Sequence, residues 1–580
     1  MIFILRFFQR LLFRAMNTVL SKHQQRSTLR NFKFCFVILI LFTVCPSFTQ
    51  SLSTKQLEEE FDKLLSEQFK PGETGGVALV AQKGQVIYKK AFGMASLELN
   101  VPMHPDMVFR IGSITKQFTA ICILQLVEKG QITLQDEITK FIPDYPTHNN
   151  KITIQHLLTN TSGIVNLTSL PKISELKIKD IKLTEIIDFF KNEPLEFAPG
   201  TRLSYSSSGY ILLGYIIEKV SGVSYAKYLE ENIFKPCKMN NSYRENNNQL
   251  IRNRANGYQQ GNSGIENAGY INMFIPHAAG SILSTVDDLF KWHQSLYSYT
   301  LVKKETLEKA FEKAKLNDGK SAEYGFGWFL KNIQGSPTIE HGGGIEGYLA
   351  EAIYLPKEDV FVAVFSNSTS NSPQFVSSKM CALAIGKPYT YKEIQLEEAM
   401  LQSHSGVYEN EEGIQFRVVK EGKQMFAEKT NGLKHEIKAY EKDKYFYDDY
   451  FSTLTFNRHS DNSITTVETN ERFGGFDTWR KSAKPFHTRT EIKVPDDLLA
   501  RYAGEYQLNP TLILAITKEG SKLFGEATGQ PKVELFAETE NKFFLKVMDI
   551  QMEFLTSDNG QISKLILHQG DKKTEAKKIK

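Results

Sequence analysis

Cysteine is scarce in this sequence, with five among 580 residues, and no two of them have the C-x-x-C spacing of a zinc knuckle or a redox pair. Cys35 and Cys45 belong to an N-terminal apolar segment, whereas Cys122, Cys237 and Cys381 are scattered along the rest of the chain. An odd number of widely separated cysteines gives no disulfide framework. We therefore expect these three to be buried free thiols.

An excess of charge of one sign is also lacking. The net charge is only +4 and no block of Lys and Arg stands out, so bulk electrostatics give no reason to expect a nucleic-acid partner. Apolar residues make up 41% of the chain and charged residues 23%, a balance that argues against a disordered or fibrous protein. At this length we expect two to four globular domains.

Long hydrophobic runs are missing as well. The apolar run Phe34–Val44 is too short to span a bilayer comfortably, and the basic residues before it are typical of a secretory signal. Small residues favour cleavage after Thr49, and Met16 is an alternative start. An uncleaved anchor, or a lipid anchor at Cys45 despite the preceding valine, is the alternative. We predict a signal region over residues 1–49, membrane contact only through it, and a secreted or periplasmic protein.

Hydrophobic periodicity predicts a mixed fold over residues 50–395. Strand patterns occur at both ends of this region, and mostly helical patterns lie between them. This order predicts an α/β (α+β) fold in which one antiparallel sheet is assembled from distant segments and helices pack against it. The predicted helices are Lys55–Phe69, Ser113–Lys129 before Gly130, Ile154–Leu158, Thr184–Lys191, Ser208–Val220 and Thr285–Tyr297, and the predicted strands are a hairpin over Val77–Tyr88 with its tip at Lys83-Gly84, then Tyr348–Leu355 and Val360–Phe365.

After about residue 390 the pattern changes to short aromatic strands, such as Gln415–Val419, Tyr445–Tyr447 and Phe543–Val547. Two segments begin alike, Ser405–Tyr408 and Ala503–Tyr506. We predict two similar small all-β modules, barrels or sandwiches, at residues 400–485 and 495–578.

One Ser-x-x-Lys pattern offers an activated nucleophile. In Ser113-Ile-Thr-Lys116 the two side chains share a helix face, so the amine can help to take the proton of a hydroxyl that is barely nucleophilic alone. At a helix N-terminus, Ser113 would also benefit from the helix dipole. The spacing alone is weak, because it recurs at Ser169/Lys172, Ser174/Lys177 and Ser224/Lys227, where it is typical of a solvated helix face.

The surroundings of Ser113 separate it from the others. The stretch Phe109–Ala120 resembles the nucleophile motif of the serine β-lactamase-like family, which contains class C β-lactamases, D-aminopeptidases, D-alanyl-D-alanine carboxypeptidases and related esterases. The resemblance extends over residues 55–385 and implies a β-lactamase/transpeptidase-like domain, with the site between the sheet and a helical lobe. Further stretches similar to this family occur in the same order at Ile152–Gly163, Phe197–Thr201, Ser284–Leu289 and Tyr324–Trp328.

The resemblance assigns the general acid and base role to Tyr205. Tyr205-Ser206-Ser207 corresponds to the family's Tyr-x-Asn motif. A phenol normally titrates near pH ~10, so we expect a neighbouring cation, Lys116, to lower its pKa. Ser207 replaces the asparagine and can still bond the lysine or a substrate amide, but with shorter reach and fewer donors.

His341-Gly342-Gly343-Gly344 resembles the family's edge-strand motif, Lys-Thr-Gly or His-x-Gly. Small residues such as Gly343 let a substrate backbone lie beside the strand. By position, the amide of Gly344 would pair with that of Ser113 as an oxyanion hole, in which one donor contributes roughly 100- to 1000-fold in rate. His341 stands at the lysine position, which makes efficient β-lactam hydrolysis less expected.

The resemblance implies an acyl-enzyme hydrolase that acts on the amide or ester bonds of a small molecule or peptide, with no metal or organic cofactor. G-x-S-x-G, H-E-x-x-H and P-loop motifs do not occur, and His156 and His277 are expected to be structural. β-Lactamase activity, a non-turnover protein that traps β-lactams or peptides, and function in sugar- or lipid-binding β modules remain alternatives. Such modules can also reach over the cleft or aid assembly, so a homo-oligomer stays open.

Overall fold

The structure, a computed structural model, describes residues 52–580 except 171–172, 262, 431, 488, 490, 510–511, 528–531, 547–549, 558–559 and 570–571. The predicted signal region, with its two cysteines, lies outside the described residues. Within the described part, every helix falls short of the length or the hydropathy that a membrane crossing requires. Cys122, Cys237 and Cys381 are buried free thiols, as predicted.

The described residues up to Ala384 form helices and strands in a mixed order, with several helices in succession in the middle of the region. The helices are α1 (Thr54–Gln68), α2 (Thr115–Glu128), α3 (Ile154–Leu158), α4 (Ile173–Lys177), α5 (Leu183–Lys191), α6 (Ser207–Ser221), α7 (Tyr225–Leu229), α8 (His277–Gly280), α9 (Val286–Tyr297), α10 (Lys304–Ala310) and α11 (Gln374–Ala384). The strands are β1 (Gly76–Gln82), β2 (Gln85–Phe92), β3 (Met94–Ser96), β4 (Val101–Pro102), β5 (Phe109–Arg110), β6 (Tyr243–Arg244), β7 (Tyr258–Gly261), β8 (Gly264–Asn267), β9 (Ile282–Ser284), β10 (Ala314–Lys315), β11 (Ser321–Ala322), β12 (Phe329–Ile333), β13 (Ser336–Ile345), β14 (Tyr348–Leu355) and β15 (Val360–Ser366).

A six-stranded antiparallel sheet organises this region, in the order β12-β13-β14-β15-β1-β2. β1 pairs with β15, so that Gly76 lies opposite Ser366. The hairpin near the start of the region therefore joins strands from its end, as the sequence predicted.

The two faces of this sheet belong to different hydrophobic cores, because side chains alternate along a strand. Val77 and Leu79 of β1 pack into the core shared with α2, α5, α6 and α9. Ala78 and Val80, which alternate with them, pack into the core formed with α1 and α11. Helices thus cover both faces, and β13, the neighbour of the edge strand β12, contacts the turn Gly112–Ile114 before α2.

The start of α2 differs from the prediction. We expected the helix to begin at Ser113, but a tight 3-10 turn spans Gly112–Ile114 and the α-helix begins at Thr115. The physical reason is local, since Gly112 has φ +49° and the amide of Thr115 bonds back to the turn. The predicted end is confirmed, with Gly130 in the left-handed region at φ +68°.

The C-terminal region contains two closed barrels, each preceded by a short helix. The first is α12 (Glu398–His404) with β16 (Gly406–Glu409), β17 (Gln415–Glu421), β18 (Gln424–Lys429), β19 (His435–Glu441), β20 (Lys444–Tyr447), β21 (Ser452–Arg458), β22 (Ile464–Glu471) and β23 (Gly475–Ser482). The second is α13 (Asp496–Tyr502) with β24 (Gly504–Asn509), β25 (Leu512–Glu519), β26 (Lys522–Ala527), β27 (Val533–Ala537), β28 (Lys542–Phe544), β29 (Ile550–Thr556), β30 (Ile562–Gln569) and β31 (Lys572–Lys578). The barrels fall within the predicted ranges 400–485 and 495–578, although the boundaries themselves stay a prediction.

The two barrels repeat one local arrangement. The hydroxyl of Tyr408 donates to the carbonyl of His404, and that of Tyr506 donates to the carbonyl of Tyr502, in each case four residues back. These tyrosines belong to the two similar segments seen in the sequence. An antiparallel sheet with flanking helices, followed by small all-β modules, confirms the predicted fold class. The strand predicted over 543–547 is shorter in the described residues, because β28 ends at Phe544, and Val547 lies outside them.

Candidate active site

Ser113 lies in the turn before α2, and its side chain is partly exposed. This turn touches β13 so closely that two glycines are required. A Cβ atom added to Gly112 would lie 2.8 Å from the amide nitrogen of Gly344. One added to Gly343 would lie 1.9 Å from the carbonyl oxygen of Ile111 and 3.0 Å from the amide nitrogen of Ser113. The glycine motif therefore places the backbone of β13 directly against the candidate nucleophile.

Lys116 reaches Ser113 from one helical turn away. Its Nζ atom lies 3.1 Å from Oγ of Ser113, 2.9 Å from the carbonyl oxygen of Ala279 and 3.5 Å from Oγ of Ser207. The side chain is fully buried, and burial lowers the pKa of Lys116 to about 7. Near pH 7, Lys116 is therefore a neutral amine in a large fraction of the protein molecules. A neutral amine can accept the proton of Ser113.

Tyr205 completes the group. Its ring lies beneath the amine, with Nζ of Lys116 4.7 Å from the ring centroid, and it stacks on Phe329 at 6.1 Å. The hydroxyl is buried and has no partner at hydrogen-bonding geometry, although Ser113 is near enough to lower its pKa. Burial is the larger effect and raises the pKa of Tyr205. The expectation that a Lys116 cation lowers the pKa of this phenol is therefore wrong, because burial favours the neutral forms of both groups.

The turn that carries Tyr205 and Ser207 is fixed by two asparagines that the sequence reasoning did not single out. Oδ1 of Asn160 accepts from the amide of Ser206 at 3.1 Å, and Oδ1 of Asn166 accepts from the amide of Ser207 at 3.1 Å. Asn160 has φ +56°, a conformation that asparagine tolerates better than most residues. It lies within Ile152–Gly163, so its place in that family-like stretch was the available signal.

His341 occupies a different place from the one expected for a substrate ligand. Its side chain is buried, Nδ1 lies 2.5 Å from the carbonyl oxygen of Gly342, and Nε2 lies 3.1 Å from the hydroxyl of Tyr324. A carbonyl only accepts, so Nδ1 carries the proton and Nε2 accepts from Tyr324. Burial and the nearby Lys116 lower the pKa of His341 to about 3. His341 is therefore neutral and packs behind Tyr205, with ring centroids 5.9 Å apart.

The motif Tyr324–Trp328 packs against the start of α2. A Cβ atom added to Gly327 would lie 2.9 Å from the carbonyl oxygen of Lys116, and one added to Gly325 would lie 2.1 Å from that of Ala310. Gly327 thus lets the chain before β12 approach the start of α2 closely, and Gly325 lets it approach the end of α10. The motif therefore supports the position of Lys116 and supplies Tyr324 to His341.

A cavity of ≈ 360 Å³ opens over Ser113, Ser207 and Gly344. The charged side chains among its described lining residues are Lys177 and Glu346, which form an ion pair of 2.6 Å and are each no more than about one third exposed. The rest of the wall is largely apolar, with Leu167, Ile173, Ile271, Ile275, Pro276 and Ile345. The charges at the cavity satisfy each other, and neither is free to hold a substrate charge.

His156 and His277, which we expected to be structural, both make contacts within helical segments. Nδ1 of His156 accepts from the amide of Thr153 at the N-terminus of α3, so it caps a helix. His277 is buried beside Tyr225, with ring centroids 5.1 Å apart, and does not line the cavity. Neither contacts Ser113. In the described part of the chain, His, Cys, Asp and Glu side chains nowhere group in threes as a metal site needs.

The chain is similar to known proteins over most of its length. The profile of the beta-lactamase family matches residues 55–381, and that of a domain of unknown function (DUF3471) matches residues 488–579. Penicillin-binding protein 4* of Bacillus subtilis is 26% identical over 523 residues, which cover 87% of this chain and 95% of that protein.

Two solved structures show the same fold. The octameric penicillin-binding protein homologue from Pyrococcus abyssi is 26% identical and covers 74% of this chain and all of its own, with a TM-score of 0.51. The D-amino acid amidase from Ochrobactrum anthropi SV3, complexed with L-phenylalanine amide, is 23% identical and covers 57% of this chain and 97% of its own, with a TM-score of 0.50. Because the family match spans more than half of the sequence, the chain belongs to the beta-lactamase family, within the superfamily of serine β-lactamases and penicillin-binding proteins.

Proposed function

We propose that the protein is an exported serine hydrolase that cleaves amide or ester bonds through an acyl-enzyme on Ser113. The observation that carries this proposal is the buried amine of Lys116, 3.1 Å from Oγ of Ser113, with a pKa of about 7. A serine hydroxyl needs an adjacent base to become a nucleophile, and a base titrating near the working pH is the most effective.

The proposed acylation uses three proton transfers, which together move one proton from Ser113 to the leaving group by way of Lys116 and Tyr205. Oγ of Ser113 attacks the substrate carbonyl while its proton passes to the neutral amine of Lys116. The amides of Ser113 and Gly344 stabilise the oxyanion. When the tetrahedral intermediate breaks, the phenol of Tyr205 donates a proton to the leaving amine or alcohol, and the ammonium of Lys116 restores the phenol. The phenol suits this step because burial keeps it protonated.

Deacylation follows the same path in reverse. Water attacks the acyl carbonyl and gives up a proton to Lys116 or Tyr205, the bond to Oγ breaks, and Oγ of Ser113 regains a proton. Every step uses groups of this chain, so the proposed reaction needs no metal and no organic cofactor.

The proposed activity resembles that of a D-aminopeptidase or carboxypeptidase, or of an esterase. A β-lactam carries a carboxylate, and His341 is neutral and buried where the family has a lysine. Ser207 also offers fewer donors than the family's asparagine. Efficient β-lactamase activity is therefore a weaker candidate than cleavage of simple amides or esters.

Among these activities, the cavity favours cleavage of an ester or amide with an uncharged, apolar acyl group over a D-aminopeptidase activity, in which the acyl group carries an ammonium. Its wall is largely apolar, and Lys177 and Glu346 neutralise each other at 2.6 Å. A substrate ammonium or carboxylate placed there would have to compete with this pair or stay unpaired, which costs free energy in a partly desolvated site. A neutral acyl chain meets no such cost.

The test compares wild type with Ser113→Ala on three substrates: a D-amino acid amide, a short-chain p-nitrophenyl ester and a chromogenic cephalosporin. We expect turnover of the ester or the amide that the variant lacks. A burst of one product per Ser113 without turnover would instead favour a protein that traps its ligand. No reaction of Ser113 with a fluorophosphonate probe would contradict the proposal altogether.

Export and assembly are separate parts of the proposal. The N-terminal basic and apolar pattern supports a secreted or periplasmic location, and cell fractionation with N-terminal sequencing of the recovered protein tests it. Recovery in the cytoplasm with residues 1–49 intact would contradict it. An octameric relative supports homo-oligomerisation, for which light scattering gives the molar mass.

A further inference from the structure

A buried ion pair ties the first barrel to the strand that carries the glycine motif. Arg472 follows β22, and its guanidinium binds both carboxylate oxygens of Glu340 in β13, at 3.0 and 2.9 Å. The arginine side chain is 2% exposed and the glutamate side chain 6%. Nε of Arg472 also donates to Oγ of Ser378 in α11 at 3.2 Å. The contact, which we call the fork, is a bidentate ion pair that is almost fully buried.

This fork lies directly behind the candidate site. Side chains alternate along β13, so His341 and the Cα of Gly343 face Tyr324 and Ser113, whereas Glu340 and Gly342 face the opposite side. A Cβ atom added to Gly342 would lie 2.7 Å from Oε2 of Glu351, which places Gly342 on the side of the sheet away from Ser113. Glu340 is thus only three residues before Gly343, on the other face of the same strand.

A second buried carboxyl group lies beside the ion pair of Arg472 and Glu340. Glu351 of β14 is buried beside Glu340, and burial together with Glu340 raises the pKa of Glu351 to about 8. The guanidinium of Arg472 opposes that effect. Without Arg472, the two neighbouring carboxyl groups of Glu340 and Glu351 would be buried with no cation between them. This arrangement costs free energy, and β13 can reduce that cost by shifting its position.

The barrel itself is held firmly enough to act as a support. Phe451, which accepts the amide of Arg472 at its carbonyl, belongs to the same hydrophobic core as α1 and α11. Its ring lies 4.7 Å from Tyr389 and 5.3 Å from Phe473, measured between centroids. Arg472 is therefore supplied by a module packed into the core of the sheet.

We propose that Arg472 is a positioning residue. Its ion pair with Glu340 fixes the position of β13, and this keeps Gly343 and Gly344 in contact with the turn that carries Ser113. The inference rests on the proposed function, since it concerns the amides that would stabilise the oxyanion. It also gives the first barrel a role in catalysis at a distance from the substrate.

The test removes the fork without leaving a buried charge. Replacing a buried ion pair by apolar residues of similar size generally preserves folding, so the main variant is the double substitution Glu340→Leu with Arg472→Met. Arg472→Lys keeps the charge but loses the two-pronged grip, and it serves as the second variant if the double variant fails to fold. Arg417→Met is the control, because Arg417 pairs with Glu428 in the same barrel and is partly exposed.

Each protein is assayed with a short-chain p-nitrophenyl ester, and kcat is expressed per Ser113 titrated by a fluorophosphonate. We expect kcat to fall about 10- to 100-fold in the double variant, since misplacement of catalytic groups by about 1 Å has effects of this size. KM should stay near the wild-type value, and Arg472→Lys should show a smaller loss. The control should match wild type in both constants.

Wild-type kcat per titrated site in both the double variant and Arg472→Lys would overturn the inference, and so would a loss shared equally by the control. A role in folding alone would lower the melting temperature without changing kcat per titrated site. If wild type reacts with the fluorophosphonate but turns over no substrate, the proposed hydrolase fails separately. The rate of Ser113 labelling, which depends on the same amides, then decides the role of Arg472 by the same comparison.

Discussion

The Nζ atom of Lys116 lies 3.1 Å from the Oγ atom of Ser113, and the lysine side chain is fully buried. Burial penalises the ammonium and lowers the pKa of Lys116 to about 7. Below that pH the amine holds a proton and cannot take another from Ser113, and above it the amine is free. The direction of this shift sets the pH dependence of any reaction that uses Lys116 as a base.

We therefore expect kcat/KM to fall as the pH drops below about 7, along an acidic limb with its midpoint near that value. A pH–rate profile of the wild-type protein with a neutral ester measures it. Lys116→Arg should be inactive throughout, because a guanidinium stays protonated. A wild-type rate that is flat between about pH 5 and 9 would contradict the role of Lys116 as the base.

The same shift predicts a change in stability. The unfolded chain keeps its proton on Lys116 up to about 10.5, whereas the folded chain loses it near 7, so the free energy of unfolding rises with pH between these values. Denaturant titrations of wild type and Lys116→Met at several pH values give the difference that isolates this residue. A difference that does not change with pH over this window would show that the folded-state pKa of Lys116 is close to its ordinary value.

Gly343 and Gly344, the two glycines of β13 nearest to Ser113, should respond unequally to substitution. In Gly343→Ala the new methyl would lie 1.9 Å from the carbonyl oxygen of Ile111, so the Ser113 turn must move. We expect kcat to fall roughly 100-fold or more, the size expected when oxyanion donors are lost or misplaced. Steady-state kinetics with circular dichroism as a check on folding measures the effect.

The matched variant is Gly344→Ala, in which the methyl would lie 3.1 Å from Cδ2 of Leu349, a side chain that can rotate away. Its loss of kcat should be much smaller than that of Gly343→Ala. An equal loss in both variants would mean that the close approach of β13 to the turn is not what the reaction requires.

The ion pair at the cavity should determine which substrate charges are accepted. Lys177→Ala leaves the carboxylate of Glu346 unpaired, so kcat/KM for a D-amino acid amide with a free ammonium should rise relative to that for a neutral ester. Glu346→Gln leaves Lys177 unpaired and should favour substrates with a carboxylate instead. Partly exposed pairs contribute up to about 1 kcal/mol, so each preference should change about two- to fivefold.

The two variants serve as controls for each other, because they open the same pair and leave charges of opposite sign. Competition assays with ammonium, neutral and carboxylate substrates measure the three preferences. Identical changes in both variants would mean that the cavity discriminates by shape rather than by charge.

Local patterns in the sequence predicted most of the fold, and the ordered motifs predicted which side chains meet at Ser113. Of the other Ser-x-x-Lys pairs, Ser224 and Lys227 have a local explanation, since Ser224 caps α7 by accepting the amide of Lys227 at 3.3 Å. Lys172 lies outside the described residues. Lys177 instead pairs with Glu346, far away in the chain. Patterns read along one helix identify caps and shared faces, and they give no information about partners from other elements.

The protonation states of the site residues, and the contacts that hold β13 in place, could not be predicted in the same way. The pKa of Tyr205 depends on how deeply the fold buries its hydroxyl, and that depth follows from packing against Tyr324, Phe329 and His341. The contact of Arg472 with Glu340 joins a barrel to a strand of the sheet 132 residues away in sequence. Neither residue carries a local sequence pattern that distinguishes it from the other charged residues of the chain.

Tyr205→Phe separates the chemical role of the phenol from its structural role. The hydroxyl is buried without a partner at hydrogen-bonding geometry, so its removal leaves no donor or acceptor newly unsatisfied and relieves the cost of burying a polar group. We expect the melting temperature to stay the same or rise. An amine leaving group must be protonated before it departs, so kcat for an amide should fall about 100- to 10,000-fold without the general acid.

A p-nitrophenolate needs no proton to leave, so the loss of kcat for a p-nitrophenyl ester in Tyr205→Phe should be much smaller than the loss for the amide. Measuring both substrates on one preparation, with Ser113 titrated, removes differences in folded fraction. Equal losses for the two leaving groups would mean that Tyr205 acts on the proton of Ser113 itself, as a base in the attack, rather than as the acid that releases the product. That result would return the first proton transfer to the phenol and leave Lys116 to tune it, which the raised pKa of the buried phenol argues against.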